Sequence, residues 1–520
     1  MSTRIRLLPT ACTVWRTSCL LAALVFLPLN ASSLAGQIPE LFKLELPGGT
    51  NYDDFGYSVA VDGKVAVVGV PVDDTAAGVD AGSVEVYRYS DATKQWEPEQ
   101  QLFASDAAAA DNFGIAVAIS GNVIAVGAHL DDTATGSDSG SVHVFRYDGR
   151  TWVEEQKIVS SGAAGDTFGR SVALSGDYLM VGAPQDDTGH GVDSGAVYFY
   201  KYRGVVLKWA FDGEKDGEAA YDAFGFSVAI DGDLAVVGAY AHDTVAGADA
   251  GAAYVYRYVS NLWTIEAVLT ASDGAAGDQL GISVAADDDL VVAGAYLDDQ
   301  AALYDAGSAY VYRRIGGTWT EDEHLFASNG AAYDHFGRSV AVGASVVVVG
   351  ADANDAPATD SGSAYLFRYI GPQCGWVEDH ELVSRTAGAY DYLGTSVALS
   401  GNLVLAGVPL DDVASGYDAG SVNLYDAVEI ALDIEPRSVG AGQTLTFTTG
   451  YGESNEVFML AVTVPFTYFL LSYGSDGQSV LPVTVPPGIP PGTQLTFQAY
   501  ELVECPNRAA SSNPVTVTFQ

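Results

Sequence analysis

The chain has 520 residues, and acidic side chains outnumber basic ones 66 to 23, a formal net charge of −43. Such a surface repels nucleic acid and anionic membranes, because binding either one depends on Lys and Arg. Hydrophobic residues make up 48% of the chain, enough for a large core, and four cysteines are too few for a disulfide-built scaffold.

Residues 1–35 read as a secretory signal peptide. Arg4, Arg6 and Arg16 precede an apolar run, "CLLAALVFLPLNA", and "SLA" before Gly36 suits a small-residue cleavage site. The run is short for a membrane span, and an uncleaved N-terminal anchor stays open as the alternative. No later stretch suits a span, so no membrane insertion is expected of the mature chain. A secreted, cell-surface or periplasmic location follows. Removing the leader leaves 20 basic against 66 acidic groups, and only Cys374 and Cys505. A bridge between those two would tie two domains together, but loop positions alone do not bring their Cα atoms into range.

Residues 36–428 repeat one pattern seven times. Asp, any residue, then Phe-Gly or Leu-Gly recurs at Phe55, Phe113, Phe168, Phe224, Leu280, Phe336 and Leu393, with spacings of 58, 55, 56, 56, 56 and 57. After each come "SVA" or a variant, a short turn such as "ISGN" or "LSGD", and an apolar run. A Gly-containing tripeptide then leads into an acidic loop and a strand alternating Val and aromatics. A fourth segment begins near Trp96, Trp152, Trp209, Trp263, Trp319 or Trp376. The periods are those of strands, with no helical period of any length. Four antiparallel strands repeated radially make a β-propeller blade. The repeated Tyr and Trp suit blade packing better than sugar stacking.

The seventh unit lacks a Trp-led fourth strand, and "IPELFKLEL" can supply it. Leu44 stands 11 residues before Phe55, as Leu102 stands 11 before Phe113. The N-terminal strand is therefore expected to close the ring and leave no free sheet edge. Residues 429–520 change character. Short strands between Pro and Gly turns, as in "TLTFTT" and "NPVTVTF", suggest a small β-sandwich of immunoglobulin-like style. The fold class expected is all-β, a seven-bladed propeller followed by that sandwich.

The Phe-Gly and Gly-Ala-Pro marks, at this period and count, resemble FG-GAP repeats, which build the seven-bladed propeller of integrin alpha subunits and of many secreted bacterial proteins. The resemblance covers residues 38 to about 427. It implies a propeller used for binding or adhesion and implies no reaction. Integrin-type repeats often carry a calcium loop between the first and second strands. Here that place holds only "VDGK", "ISGN", "LSGD" and similar turns, too short to wrap a cation needing six to eight oxygens. Those calcium sites are not carried over.

Topology puts the loop entering Phe-Gly and the loop leaving Gly-Ala-Pro on one face. That face collects Asp53, Asp111, Asp166, Asp222, Asp278, Asp334 and Asp391, and Asp pairs in the second loop. The candidate metal set is Asp131, Asp132, Asp138, Asp186, Asp187 and Asp193, with calcium as the possible ion. Structural turn chemistry is the competing and favoured reading, because Asp accepts backbone N–H bonds in tight turns. No catalytic residue and no cofactor are expected. The seven histidines are scattered, and His190 sits in an acidic loop with solvent the favoured neighbour. The function expected is non-enzymatic recognition or adhesion, with a protein or glycan partner. A polysaccharide- or phosphoester-acting enzyme and a structural spacer or surface coat are the alternatives. The oligomeric state is left open.

Overall fold

The structure is a computed structural model. It describes residues 36–427, apart from 301, 302, 344, 356 and 373, and the backbone of further strands between 432 and 519. The signal-peptide reading of residues 1–35 lies outside the described residues.

Seven antiparallel sheets follow one another along the chain, one per repeat. Blade 1 is built from Ser58–Asp62, Val65–Val70, Ser83–Ser90 and Gln95–Leu102. Blade 2 uses Ala116–Ser120, Val123–Ala128, Ser141–Tyr147 and Trp152–Val159. Each innermost strand packs against the next, and the seventh returns to the first, so the blades form a closed ring. Second strands such as Val65–Val70 are buried throughout. They are apolar at every position because a neighbouring blade covers each of their faces. The core therefore lies between blades: Val142, Val144 and Ile158 of blade 2 pack with Phe168, Leu179, Val181 and Tyr198. The Trp residues belong to it. Trp152 packs on Tyr147 at 5.2 Å between ring centres, and Trp209 on Tyr202 at 5.5 Å. Both indoles are buried.

The repeated glycines mark the blade junction. A Cβ on Gly127 would lie 1.9 Å from the carbonyl oxygen of Gly169, one blade on. Gly140 has φ +80 and forms a bridge with Phe168, also across the junction. Neither position has room for a side chain. The Gly-Ala-Pro glycine and the next Phe-Gly glycine thus recur because two backbones touch there.

The chain start closes the ring with two strands rather than one. Phe42–Leu44 pairs antiparallel with Ser421–Asp426, completing blade 7. Gly36–Pro39 adds in parallel to the outermost strand of blade 6, with Ile38 opposite Leu382. Among the described residues the only helix is the four-residue turn Gly204–Leu207, an exception to the expected absence of helix. Strands between 432 and 519 form two further sheets. One is built from Leu432–Glu435, Thr444–Gly450 and Gln478–Thr484.

Candidate functional site

The acidic loops are built by a repeated hydrogen-bond scheme. The Asp before Phe-Gly accepts the N–H of the residue three positions earlier in all seven blades, for example Ala108 to Asp111 at 2.6 Å and Ala331 to Asp334 at 2.7 Å. The bond runs backwards along the chain, whereas an ordinary Asx turn bonds a residue two positions on. In the second loop the second Asp accepts the N–H of the third. Asp132 takes that of Asp138 at 3.0 Å, and Asp187 that of Asp193 at 2.9 Å. The third Asp is left-handed, with φ +51 at Asp138 and +50 at Asp193. Asp is among the few residues that tolerate this.

The first Asp of each pair turns inward. Asp131 is buried, accepts the Ser141 hydroxyl at 2.5 Å and pairs with Lys157 at 2.5 Å. Asp186 accepts the Tyr198 hydroxyl. The six residues named from sequence thus lie on the loops of blades 2 and 3, each with its own intramolecular partner, and do not converge on one point. A different trio lies close together: one ligand atom each from Asp106, Asp131 and His143 fall within 4.8 Å of one another. The Lys157 ammonium bridges Asp106, at 2.7 Å, and Asp131. An internal cation already holds that place. Lys43 stands likewise at 2.5 Å from Asp411.

Burial raises several of the carboxyls before Phe-Gly and Leu-Gly. Asp166, Asp278, Asp334 and Asp391 are each pushed up to about 6, by desolvation first, with the backbone N–H bond opposing it in part. Between blades 4 and 5 a hollow of about 300 Å³ is lined by Asp273, Asp278, Asp298, Asp299 and Asp305. His190 is exposed in its loop, as expected.

Two features of this face escaped the sequence reading. The residue immediately before the Asp of Phe-Gly or Leu-Gly has positive φ in every blade, and in four blades it is an exposed tyrosine: Tyr52, Tyr221, Tyr333 and Tyr390. At the centre a cavity of about 250 Å³ opens along the ring axis, with Arg170, Phe226 and Arg338 among its lining. The Arg170 guanidinium lies 4.6 Å from the Phe226 ring centre. The signal for both was present in the repeats, as the places where seven copies disagree.

The FG-GAP repeat profile matches residues 40–87, 96–145, 152–200, 215–256, 263–312, 319–367 and 376–425. The chain belongs to the FG-GAP repeat family. In this FG-GAP protein the sequence repeat is offset from the blade: residues 40–87 hold the closing strand of blade 7 and three strands of blade 1. No curated protein matches the sequence. Among solved structures, the crystal structure of Saccharomyces cerevisiae Sqt1 aligns with 75% of this chain and 99% of its own, at 10% identity and a TM-score of 0.41. Among the described residues, no helix of this FG-GAP protein is long and apolar enough to cross a membrane.

Proposed function

We propose that this is a non-enzymatic recognition or adhesion protein, exported by its leader, that holds a protein or glycan ligand on the acidic face of the propeller. One observation carries the reading. Tyr52, Tyr221, Tyr333 and Tyr390 have φ between 67 and 71 and are 55% to 63% exposed. The same position in the other blades is Ala110, Gly165 or Gly277. Blade geometry therefore asks for glycine, and a tyrosine there costs about 1–2 kcal/mol. Strain kept on an exposed aromatic points to a use outside the fold. Tyr is enriched in binding surfaces because it offers a large, stiff contact area with a polar tip. Tyr304 and Tyr417 extend the set, since the Tyr333 N–H donates to the Tyr304 carbonyl and the Tyr52 N–H to that of Tyr417. The engagement of the loop carboxylates by Ser, Tyr, Lys and backbone partners favours recognition over acid–base chemistry.

The test replaces the four tyrosines by glycine. The melting temperature should hold or rise, while capture on glycan arrays and on cell-surface protein preparations falls. Undiminished capture refutes the reading. We also assign residues 429–520 to a β-sandwich domain. Limited proteolysis should then cut near residue 429 and release a resistant fragment, and rapid digestion of the whole C-terminal part would contradict this.

A further inference from the structure

We propose that the mouth of the central channel binds one carboxylate-bearing sugar ring, a uronate at the end of an otherwise neutral glycan, between Arg170 and Arg338. The proposal rests on the recognition reading and narrows it to a ligand chemistry.

Seven equivalent positions follow the Phe-Gly or Leu-Gly pair and line the channel. The next residue is Ser in six blades, and its hydroxyl donates to a glycine carbonyl of the neighbouring blade, as Ser171 does to Gly225 at 2.8 Å. The residue after that is Val in all seven. Packing therefore dictates the Ser and Val rows and leaves the first row free. That row holds two arginines, in blades 3 and 6, nearly opposite one another on the ring.

Arg338 approaches Asp352, with Nε 3.3 Å from Oδ2. Among the described residues Arg170 has no carboxylate partner. It is the one half-buried arginine among the described residues without an ion pair, in a chain with 66 acidic groups. Near it but outside the channel lining, His129 has a buried Nδ1 with no hydrogen-bond partner among the described residues. Burial, and then the Arg170 charge, hold that imidazole neutral, down to about 4. An unpaired guanidinium fork on the channel lining is a group that an anion would satisfy.

Size and charge narrow the choice. Phe226 supplies an aromatic wall, with Tyr240 against it at 4.8 Å between ring centres. About 250 Å³ admits one ring and not a chain of them. The surrounding Asp loops disfavour a polyanion, while their field on a single charge fades over ~8 Å at physiological salt. Two arginines at the mouth exclude a cationic group.

The probes are glucuronate, glucose, acetate, a neutral disaccharide capped with glucuronate, and a short Asp-containing peptide, each titrated calorimetrically at physiological salt. Glucuronate and the capped glycan should bind, with glucose and acetate at least about tenfold weaker. Arg170→Gln should weaken glucuronate by about tenfold or more with an unchanged melting temperature, and Arg170→Lys should keep part of the binding. Equal binding of glucose, silence of both glucuronate probes, or indifference to Arg170→Gln overturns the proposal. So does preferential binding of the peptide, which would make the partner a protein. If Arg170→Gln keeps array capture that the four-tyrosine variant loses, the recognition reading stands and this site fails.

Discussion

Leu44 stands opposite Val422, in the register that puts Leu102 opposite Val84 within blade 1. The start of the described chain therefore occupies, in blade 7, the place that a blade's own fourth strand takes elsewhere. Leu44 is buried with Phe55, Leu46 and Leu424. Leu44→Ala should cost about 2–4 kcal/mol by lost burial and the cavity left behind. Deleting residues 36–46 should cost more, because it bares the edge of Ser421–Asp426. Denaturant midpoints check both, and a truncated chain as stable as the full one would show that the seam carries no load.

Calcium should give the unaltered protein no specific rise in melting temperature over sodium at equal ionic strength. The physical reason is that Lys157 already occupies the space between Asp106 and Asp131. Lys157→Ala should lower the melting temperature and make it respond to calcium, since a cation binding only the folded state stabilises it by mass action. A large calcium-specific rise without that change, abolished by Asp131→Asn with Asp132→Asn, would instead favour the six-residue metal set.

Mild acid should stabilise the ring. Asp166, Asp278, Asp334 and Asp391 have folded values near 6 against an ordinary 3.8. A carboxyl raised on folding contributes stability that is fully present below about 4 and lost as pH rises through about 6. His129, lowered to about 4, acts in the opposite sense, losing stability as pH falls from 6.5. Four groups outweigh one, so the melting temperature should be higher at pH 5 than at pH 7.5, by roughly 2–4 °C for each kcal/mol gained. A lower value at pH 5 would contradict the burial of these carboxyls.

Cys374 is disulfide-bonded, and its partner lies outside the described residues, as does Cys505. If the leader is removed, Cys505 is the one remaining cysteine. Mature protein purified without reductant should then show no free thiol after denaturation, and reduction should lower its melting temperature. Two free thiols would disprove the bridge.

The period of the Phe-Gly mark made the blade count legible, and the distance from Leu44 to Phe55 made the closure legible, because register in a sheet is a count of residues. The parallel addition of Gly36–Pro39 was not legible, since four residues carry too little pattern to name a partner strand. The loop carboxylates were read by type but not by partner. Nothing local to Asp131 announces Lys157, which reaches its loop from the outermost strand of the same blade. Arg170 and the tyrosines were passed over for a shared reason. Attention to what repeats selects residues that serve packing, and a tyrosine at positive φ looks ordinary until its backbone is seen beside Gly165.

The offset between repeat and blade also sets an order of events during synthesis. The strand Phe42–Leu44 leaves the ribosome early, but its pairing partner, Ser421–Asp426, is made some 380 residues later. Blades 1 to 6 can assemble on neighbours already made, whereas the last cannot finish until nearly the whole ring exists. Until then the nascent chain carries an unpaired edge at each end, the condition in which sheets invite the wrong neighbour. The final join spans the longest sequence separation in the ring and should be its slowest step, so the window of exposure closes with one late event rather than blade by blade.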